Sequence, residues 1–315
     1  MSGEDTLDIN PAQVQLSFVY NSDIRNNGTP TLCFNSVKNQ LGWGGSVDRW
    51  RPDGKLPERE LYIYCDDGRD DIDWECPHPN AYYAVDTHLG YDFRLNKAKG
   101  FDKVYCAQKE GVVKMKKDGI KNVHWLPLAC NPMAHPNLTE MMNHPQKDQH
   151  AKGESLSKQY DLSFVGFINQ GDGTPESNNR VEWLDYAFKK FPNSHMAFNR
   201  FFEDMAVRVI RGRLGFNISI RNDLNMRFFE IMSSGSCLLT NTTVEGIEDL
   251  GFEDGKHFLG FDSKESLVEQ ALWGIENPAS RERIAREGHN MVRKFHTYDL
   301  RMQRILDDFG VKLAA

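Results

Sequence analysis

Two stretches of the chain combine charge, hydrogen-bonding capacity and backbone geometry suited to chemistry. In Gly215–Glu248, the residues Arg221, Asn222 and Asp223 join an apolar run, Phe216–Ile220, to a helical pattern whose apolar face holds Leu224, Phe228, Ile231 and Met232. A strand-to-helix turn of this kind presents unpaired backbone N–H groups and the positive end of a helix dipole, which suits a diphosphate. Arg221 is placed to add charge-assisted bonds to that group. Glu230, about two turns into the helix, carries a carboxylate that can accept two ribose hydroxyl hydrogens if it faces the ligand. Spacing leaves an alternative open: Arg227 and Glu230 are three apart, so they and Arg221 also read as surface ion pairs.

The second stretch, Tyr83–Asp92, puts Asp86 and His88 at the carboxyl end of an apolar run and just before a helical pattern. Residues at the carboxyl ends of strands line the ligand crevice of open α/β sheets. A histidine there can accept a hydroxyl proton near neutral pH, and a neighbouring carboxylate can hold its tautomer. A structural histidine on a loop is the alternative. Val165-Gly166-Phe167, with Gly171 and Gly173 after it, reads as a glycine-rich loop opening another βα unit. Arg180 beyond it can pair with a phosphate or stand exposed on its helix. The acidic run Asp66, Asp67, Asp70, Asp71 and Asp73 lacks the spacing of a calcium loop, and Cys65, Cys76 and His78 lack that of a zinc site. The acidic run therefore reads as a solvated loop, and no obligatory metal is expected.

These residues need rigid elements to position them, and short apolar runs alternate with helical patterns along the whole chain. That alternation predicts an α/β fold with parallel sheets. Strands are predicted at Val14–Tyr20, Glu60–Cys65, Ala81–Asp86, Lys103–Ala107 and Val123–Ala129, then at Asp161–Phe167, His195–Phe198, Gly215–Ile220, Cys237–Thr240 and His257–Phe261. Helices are predicted at Pro30–Leu41, Leu89–Lys97 and Lys109–Asp118, then at Asn178–Phe191, Phe201–Arg213, Leu224–Ser234, Lys264–Glu276 and Ser280–Lys294. Thr29 and Pro30 form a start signal for the first helix, and Gly235 suits a left-handed helix end. The polar stretch 137–159 reads as a linker between a first domain, 1–136, and a second, 160–296. The tail 297–315 is expected as a helix able to pack back on the first domain.

A length of 315 residues with 39% hydrophobic and 26% charged content supports two folded domains. The net charge of −7 gives no electrostatic footprint for a polyanion. The lysines between Lys97 and Lys121 read as a solvated helix face. Six cysteines without a C-x-x-C pair and an acidic, non-apolar amino terminus point to reduced thiols and a cytoplasmic protein. No run reaches the length of a membrane span.

Glu230-Ile-Met-Ser-Ser-Gly235, the Cys237–Leu239 run and Thr243-Val-Glu-Gly-Ile-Glu248 resemble the donor-binding segment of retaining GT-B glycosyltransferases of the group 1 family. Asp254-Gly255, Ser263–Glu265 and Phe295-His-Thr-Tyr298 continue that pattern in order, and Asn217–Arg227 is similar to the spore-maturation (CgeB-like) branch. The resemblance implies two Rossmann-like domains with parallel sheets facing across a cleft. It also implies transfer of a sugar from a nucleoside-diphosphate sugar to an acceptor hydroxyl, with no cofactor beyond that donor. In that family the backbone near Leu224, Asn225 and Met226 cradles the diphosphate, and the second Glu of an E-x7-E motif, here Glu230, holds the ribose. The first Glu of the motif falls on Asn222, a departure that leaves the carboxylate near the transferred sugar missing unless Asp223 replaces it. In the first half the resemblance favours Asp86 and His88 as the catalytic pair, and it brings Gly28, in Asn26-Asn-Gly28-Thr29, near the donor phosphates. The acceptor stays open among a glycan, a small molecule, a protein and a modified nucleic acid. A nucleic-acid-modifying glycosyltransferase, a sugar-nucleotide epimerase and a non-catalytic sugar-nucleotide binding protein are the competing readings.

Overall fold

The computed structural model describes residues 15–20, 28–41, 46–48, 58–66, 68, 76–146, 149, 151–153, 155–168, 175–221 and 223–311. Met1–Leu128 with Tyr298–Ala315 forms one compact unit, and Ala129–Thr297 forms the other.

The first unit is built on a six-stranded parallel sheet in the order β2-β1-β3-β4-β5-β6. Its strands are β1 (Gln15–Val19), β2 (Ser46–Asp48), β3 (Leu61–Cys65), β4 (Asn80–Ala84), β5 (Lys103–Cys106) and β6 (Val123–Trp125). Helices α1 (Thr29–Leu41), α2 (Tyr91–Ala98) and α3 (Lys109–Lys117) connect them. The runs LYIYC and NAYYA are buried at every position, as central parallel strands covered on both faces must be. Their tyrosines bring hydroxyls into the core. Tyr83 resolves this by donating to the Pro127 carbonyl at 3.2 Å, while the Tyr64, Tyr82 and Phe101 rings pack with centroids 5.2–6.1 Å apart.

The last helix of the chain, Tyr298–Asp308, belongs to this unit and packs on α1. The Tyr298 hydroxyl meets Thr29 Oγ1 at 3.3 Å, and Arg301 Nε donates to the Pro127 carbonyl at 2.8 Å. Strand β2 carries no periodic apolar signal and was not among the expected strands.

The second unit has a five-stranded parallel sheet, β11-β10-β9-β7-β8. Its strands are β7 (Tyr160–Gly166), β8 (His195–Phe198), β9 (Gly212–Asn217), β10 (Cys237–Asn241) and β11 (Leu259–Phe261). Its helices are α4 (Leu138–Met142), α5 (Pro175–Lys190), α6 (Phe202–Ile210), α7 (Met226–Ser233), α8 (Lys264–Glu276) and α9 (Pro278–Phe295), so Tyr298–Asp308 is α10. Leu162, Phe164, Leu214, Phe216, Leu239 and Phe261 form the sheet side of its core, facing Leu184, Leu267 and Ile284.

Several boundaries differ from the sequence reading: β4 ends at Ala84 rather than Asp86 and β6 at Trp125 rather than Ala129, and two further differences bear on the site and the division of the chain. β9 runs from Gly212 to Asn217, not from Gly215 to Ile220. Past Asn217 the chain leaves the ladder, and Ser219 N–H donates to the Asn241 side chain instead (2.9 Å). The stretch 137–159, read as a linker, lies within the second unit, and the division falls at Leu128/Ala129. Asn137 caps α4 through a capping box with Glu140. Met141, Ala151 and Leu156 bury against Ala206, Val207 and Ile210 of α6. The polar residues of this stretch serve as caps and surface around a few buried anchors.

At Gly215 β9 packs tightly on α7: a Cβ there would lie 2.4 Å from Ile231 Cγ2. Gly215→Val is expected to overpack this contact and cost about 1–3 kcal/mol, read as a lowered urea midpoint at unchanged m-value. A midpoint equal to that of the parent chain would contradict this packing.

Candidate functional site

In the second unit β8 lies on one side of β7 and β9 on the other, so the connections after β7 and β9 diverge. Such a switch point opens a crevice outside the carboxyl ends of the strands, where ligands of α/β folds bind. A cavity of about 280 Å³ lies at these strand ends. Its lining includes Trp183, Ser219, Arg221, Asn241 and Asp262.

Two arginines shape the crevice. Arg180 of α5 donates from its two terminal nitrogens to the Phe167 and Ile218 carbonyls, both at 3.1 Å, and so bridges the loops on either side of the switch point. Its Nε is buried without a hydrogen-bond partner. Burial lowers the Arg180 pKa; Asp223 opposes this and Arg227 adds to it. Arg227, in the first turn of α7, donates through Nε to the Val165 carbonyl (2.8 Å) and through a terminal nitrogen to the Arg200 carbonyl (3.3 Å).

Arg227 is held from below by Glu230, the ion pair that their spacing allows. The pair is not on the surface: the Glu230 side chain is 2% exposed, and its other oxygen lies 3.1 Å from His135 Nε2. Burial alone would raise the Glu230 pKa. Arg227 and His135 overcome it and hold the carboxyl at about 2. His135 is fixed in turn, its Nδ1 accepting from Asn131 N–H (3.3 Å) and its carbonyl accepting from Ser233 Oγ (3.0 Å). Both carboxylate oxygens therefore face protein partners, one the Arg227 guanidinium and the other the His135 imidazole.

The amino end of α7 is capped by Asn225, whose Oδ1 accepts from Phe228 N–H at 3.2 Å. Asn225 Nδ2 donates to Asn217 Oδ1, and Asn217 Nδ2 donates to Thr240 Oγ1, a polar ladder across the ends of β9 and β10. The capping leaves the positive end of α7 directed toward the 218–225 connection. Arg221 stands in that connection with φ +51°, a left-handed conformation costly for a side-chain-bearing residue. Leu224 is buried, and Met226 is the first residue of α7. The structure thus brings Arg180, Arg221, Leu224, Asn225 and Met226 to one sheet end. Asn222, Gly171 and Gly173 lie outside the described residues.

In the first unit Asp86 and His88 follow β4, the Asp86 carbonyl accepting from Leu89 N–H at 2.9 Å. His88 Nδ1 is buried without a hydrogen-bond partner, so the carboxylate support expected from Asp86 is not made through that nitrogen. Gly28 immediately precedes α1, its carbonyl accepting from Leu32 N–H at 3.1 Å. Asp66, read as part of a solvated loop, is buried in an ion pair with Arg94; Asp67, Asp70, Asp71 and Asp73 lie outside the described residues. Among the described residues no group of three or more His, Cys, Asp or Glu is arranged to hold a metal ion. No described helix is long and apolar enough to cross a membrane.

Residues 161–307 match the family model described as glycosyl transferase-like. Sucrose-phosphate synthase from Thermosynechococcus elongatus is similar in structure, with a TM-score of 0.58 at 9% identity over 94% of this chain and 98% of that one. HepE from Anabaena, solved with UDP-glucose, superposes with a TM-score of 0.56 at 12% identity, covering 95% of this chain and 100% of the other. A UDP-forming trehalose-phosphate synthase from Burkholderia xenovorans, solved with glucose-6-phosphate, gives 0.54 at 9% identity over 80% and 74%. The fold is GT-B. No curated protein sequence matches the chain.

Within this GT-B chain, the sequence reading missed the part played by His135, which lies far from Glu230 along the chain and has no motif of its own. It also missed Asn217 and Asn241 as a polar ladder. Two asparagines ending adjacent apolar strands were the signal available for these.

Removing one partner of a buried ion pair leaves an uncompensated charge. Arg227→Met is therefore expected to destabilise the second unit by about 3–5 kcal/mol at pH 7. Glu230 has a lowered pKa, so its contribution is complete above the ordinary carboxyl value of 4.5 and fades as pH falls toward 2. The penalty in Arg227→Met is accordingly expected to shrink in acid, as measured by urea unfolding at pH 7 and pH 3. A penalty that is small at pH 7, or equal at both values, would contradict the buried pair.

Proposed function

We propose that the chain is a glycosyltransferase that takes a sugar from a nucleoside-diphosphate sugar to an acceptor hydroxyl. The supporting observation is the convergence at one sheet end of the α7 amino terminus, Arg221 lining a cavity, and the buried, unpartnered Nε of Arg180. A diphosphate seated there meets backbone N–H groups near Leu224, Asn225 and Met226 together with the guanidinium of Arg221. These groups stabilise charge on the departing diphosphate as the bond from the anomeric carbon to its oxygen breaks, the main electrostatic demand of such a transfer. A sugar nucleotide as ligand accords with the UDP-glucose bound in HepE.

In this reading Arg180 and Arg227 set the loop positions, and Glu230 fixes Arg227 from beneath. A ribose contact by Glu230, as the family resemblance implies, requires exchange of one of its two ion pairs. His88 takes the proton of the acceptor hydroxyl as the new carbon–oxygen bond forms. Its place just past the carboxyl end of β4, where ligands of α/β folds bind, is the observation behind that assignment. Asp86 contributes charge in the same segment, and no metal takes part.

UDP and UDP-glucose, tested with ADP and GDP as comparators, are expected to raise the melting temperature by a few degrees. A ligand at a hundred times its Kd adds about 2.7 kcal/mol to apparent stability. Arg221→Ala is expected to abolish the shift in a chain that still unfolds cooperatively. His88→Ala is expected to keep the shift and reduce UDP release from UDP-glucose by about 10²–10⁴-fold. The proposal fails if no nucleoside diphosphate or its sugar produces a shift.

A further inference from the structure

Gln108 is a buried polar side chain to which the proposed reaction gives no role. It follows β5 and precedes α3, with its backbone extended (φ −97°, ψ 134°) and 5% of its surface exposed. Backbone pairing of β5 with β4 ends nearby, where Ala107 N–H donates to the Ala84 carbonyl at 2.9 Å. Beyond that point the Gln108 side chain takes over. Its Nε2 donates to the Val85 carbonyl (2.6 Å), and its Oε1 accepts from Thr87 N–H (3.0 Å) and from the Thr87 hydroxyl (2.8 Å).

This is the pattern of a parallel ladder made by a side chain. In such a ladder the amide groups of one residue bond the carbonyl before and the N–H after the residue opposite. Here the residue so bracketed is Asp86, with His88 two positions on. The segment is fixed from other directions as well. Thr87 packs so closely on α3 that a Cβ at Gly111 would lie 2.2 Å from its Oγ1. Arg94, paired with buried Asp66, donates to the Leu89 carbonyl. The Gln108 amide bonds at both ends are the ones centred on Asp86.

We infer that Gln108 is a positioning residue for Asp86 and His88, extending β4 by one side-chain rung so that the segment leaves the sheet in a single conformation. The inference rests on the proposal that His88 is the proton acceptor. A buried amide is well suited to this task because one planar group supplies both the donor and the acceptor. Leucine at this position fills similar space and supplies neither.

The test compares Gln108→Leu, Gln108→Glu and His88→Ala with the parent chain. The measurements are UDP release from UDP-glucose, the UDP-induced melting shift and the imidazole resonances of His88 by NMR. Gln108→Leu is expected to lower kcat by about 10²-fold, the scale of a misplaced reacting group, with the UDP shift unchanged and the His88 resonance displaced or split. Should Gln108→Leu fail to fold, Gln108→Glu keeps the acceptor for Thr87 and gains a donor for Val85 only when its carboxyl is protonated. Its activity relative to the parent chain is then expected to recover at least tenfold between pH 8 and pH 5.5. Folded variants with a parent-like His88 resonance and a pH-independent activity ratio near one overturn the inference. If His88→Ala retains full turnover, the proton-acceptor reading falls by itself, and the His88 resonance in the Gln108 variants still decides whether Gln108 positions the segment.

Discussion

A buried carboxylate organises the second unit. Taking Glu230 out of water is unfavourable by several kcal/mol unless its charge is answered, and the answer comes from two directions, Arg227 on its own helix and His135 from the turn before α4. Because Arg227 also grips the Val165 and Arg200 carbonyls, the same charge ties α7 to the ends of β7 and β8. The Ser233 hydroxyl, at the far end of α7, bonds the His135 carbonyl. The helix is thereby held at both ends, and its amino terminus has one direction in which to point. The α7 dipole is thus oriented during folding.

The two units use related devices at the carboxyl ends of their sheets. Where backbone pairing stops, side-chain amides continue it: Asn241 exchanges bonds with Ser219 beyond β9 and β10, and Gln108 brackets Asp86 beyond β4 and β5. A strand end without such a rung is free to fray, because its N–H and C=O groups turn to water. Each rung converts a flexible strand exit into a defined one. Arg180 does the same across the diverging loops of the second unit, with two carbonyls on one guanidinium.

The α/β alternation was legible because parallel strands buried on both faces are written as unbroken apolar runs, and LYIYC and NAYYA are of that kind. Register at strand ends was less legible. Ile218 and Ile220 extend the apolar run of β9 past the point where the ladder stops, and composition does not report where backbone pairing gives way to a side chain. Residues 137–159 looked like a linker because caps and surface residues outnumber the three buried anchors Met141, Ala151 and Leu156. At the site, Arg221, Arg227 and Glu230 were visible from their spacing on one turn and helix. The burial of Glu230 was not, since its second partner, His135, reaches it only through the fold. Asp86 and His88 were visible as residue types at a strand end, whereas a lone glutamine gave no sign that its amide would pair around them.

The most direct measurement is a crystal structure of the chain grown with UDP. The diphosphate is expected at the amino end of α7, with phosphate oxygens within about 3 Å of the backbone nitrogens near Leu224–Met226 and beside the Arg221 guanidinium. A nucleotide bound elsewhere, or that corner filled by packed side chains, would contradict this placement.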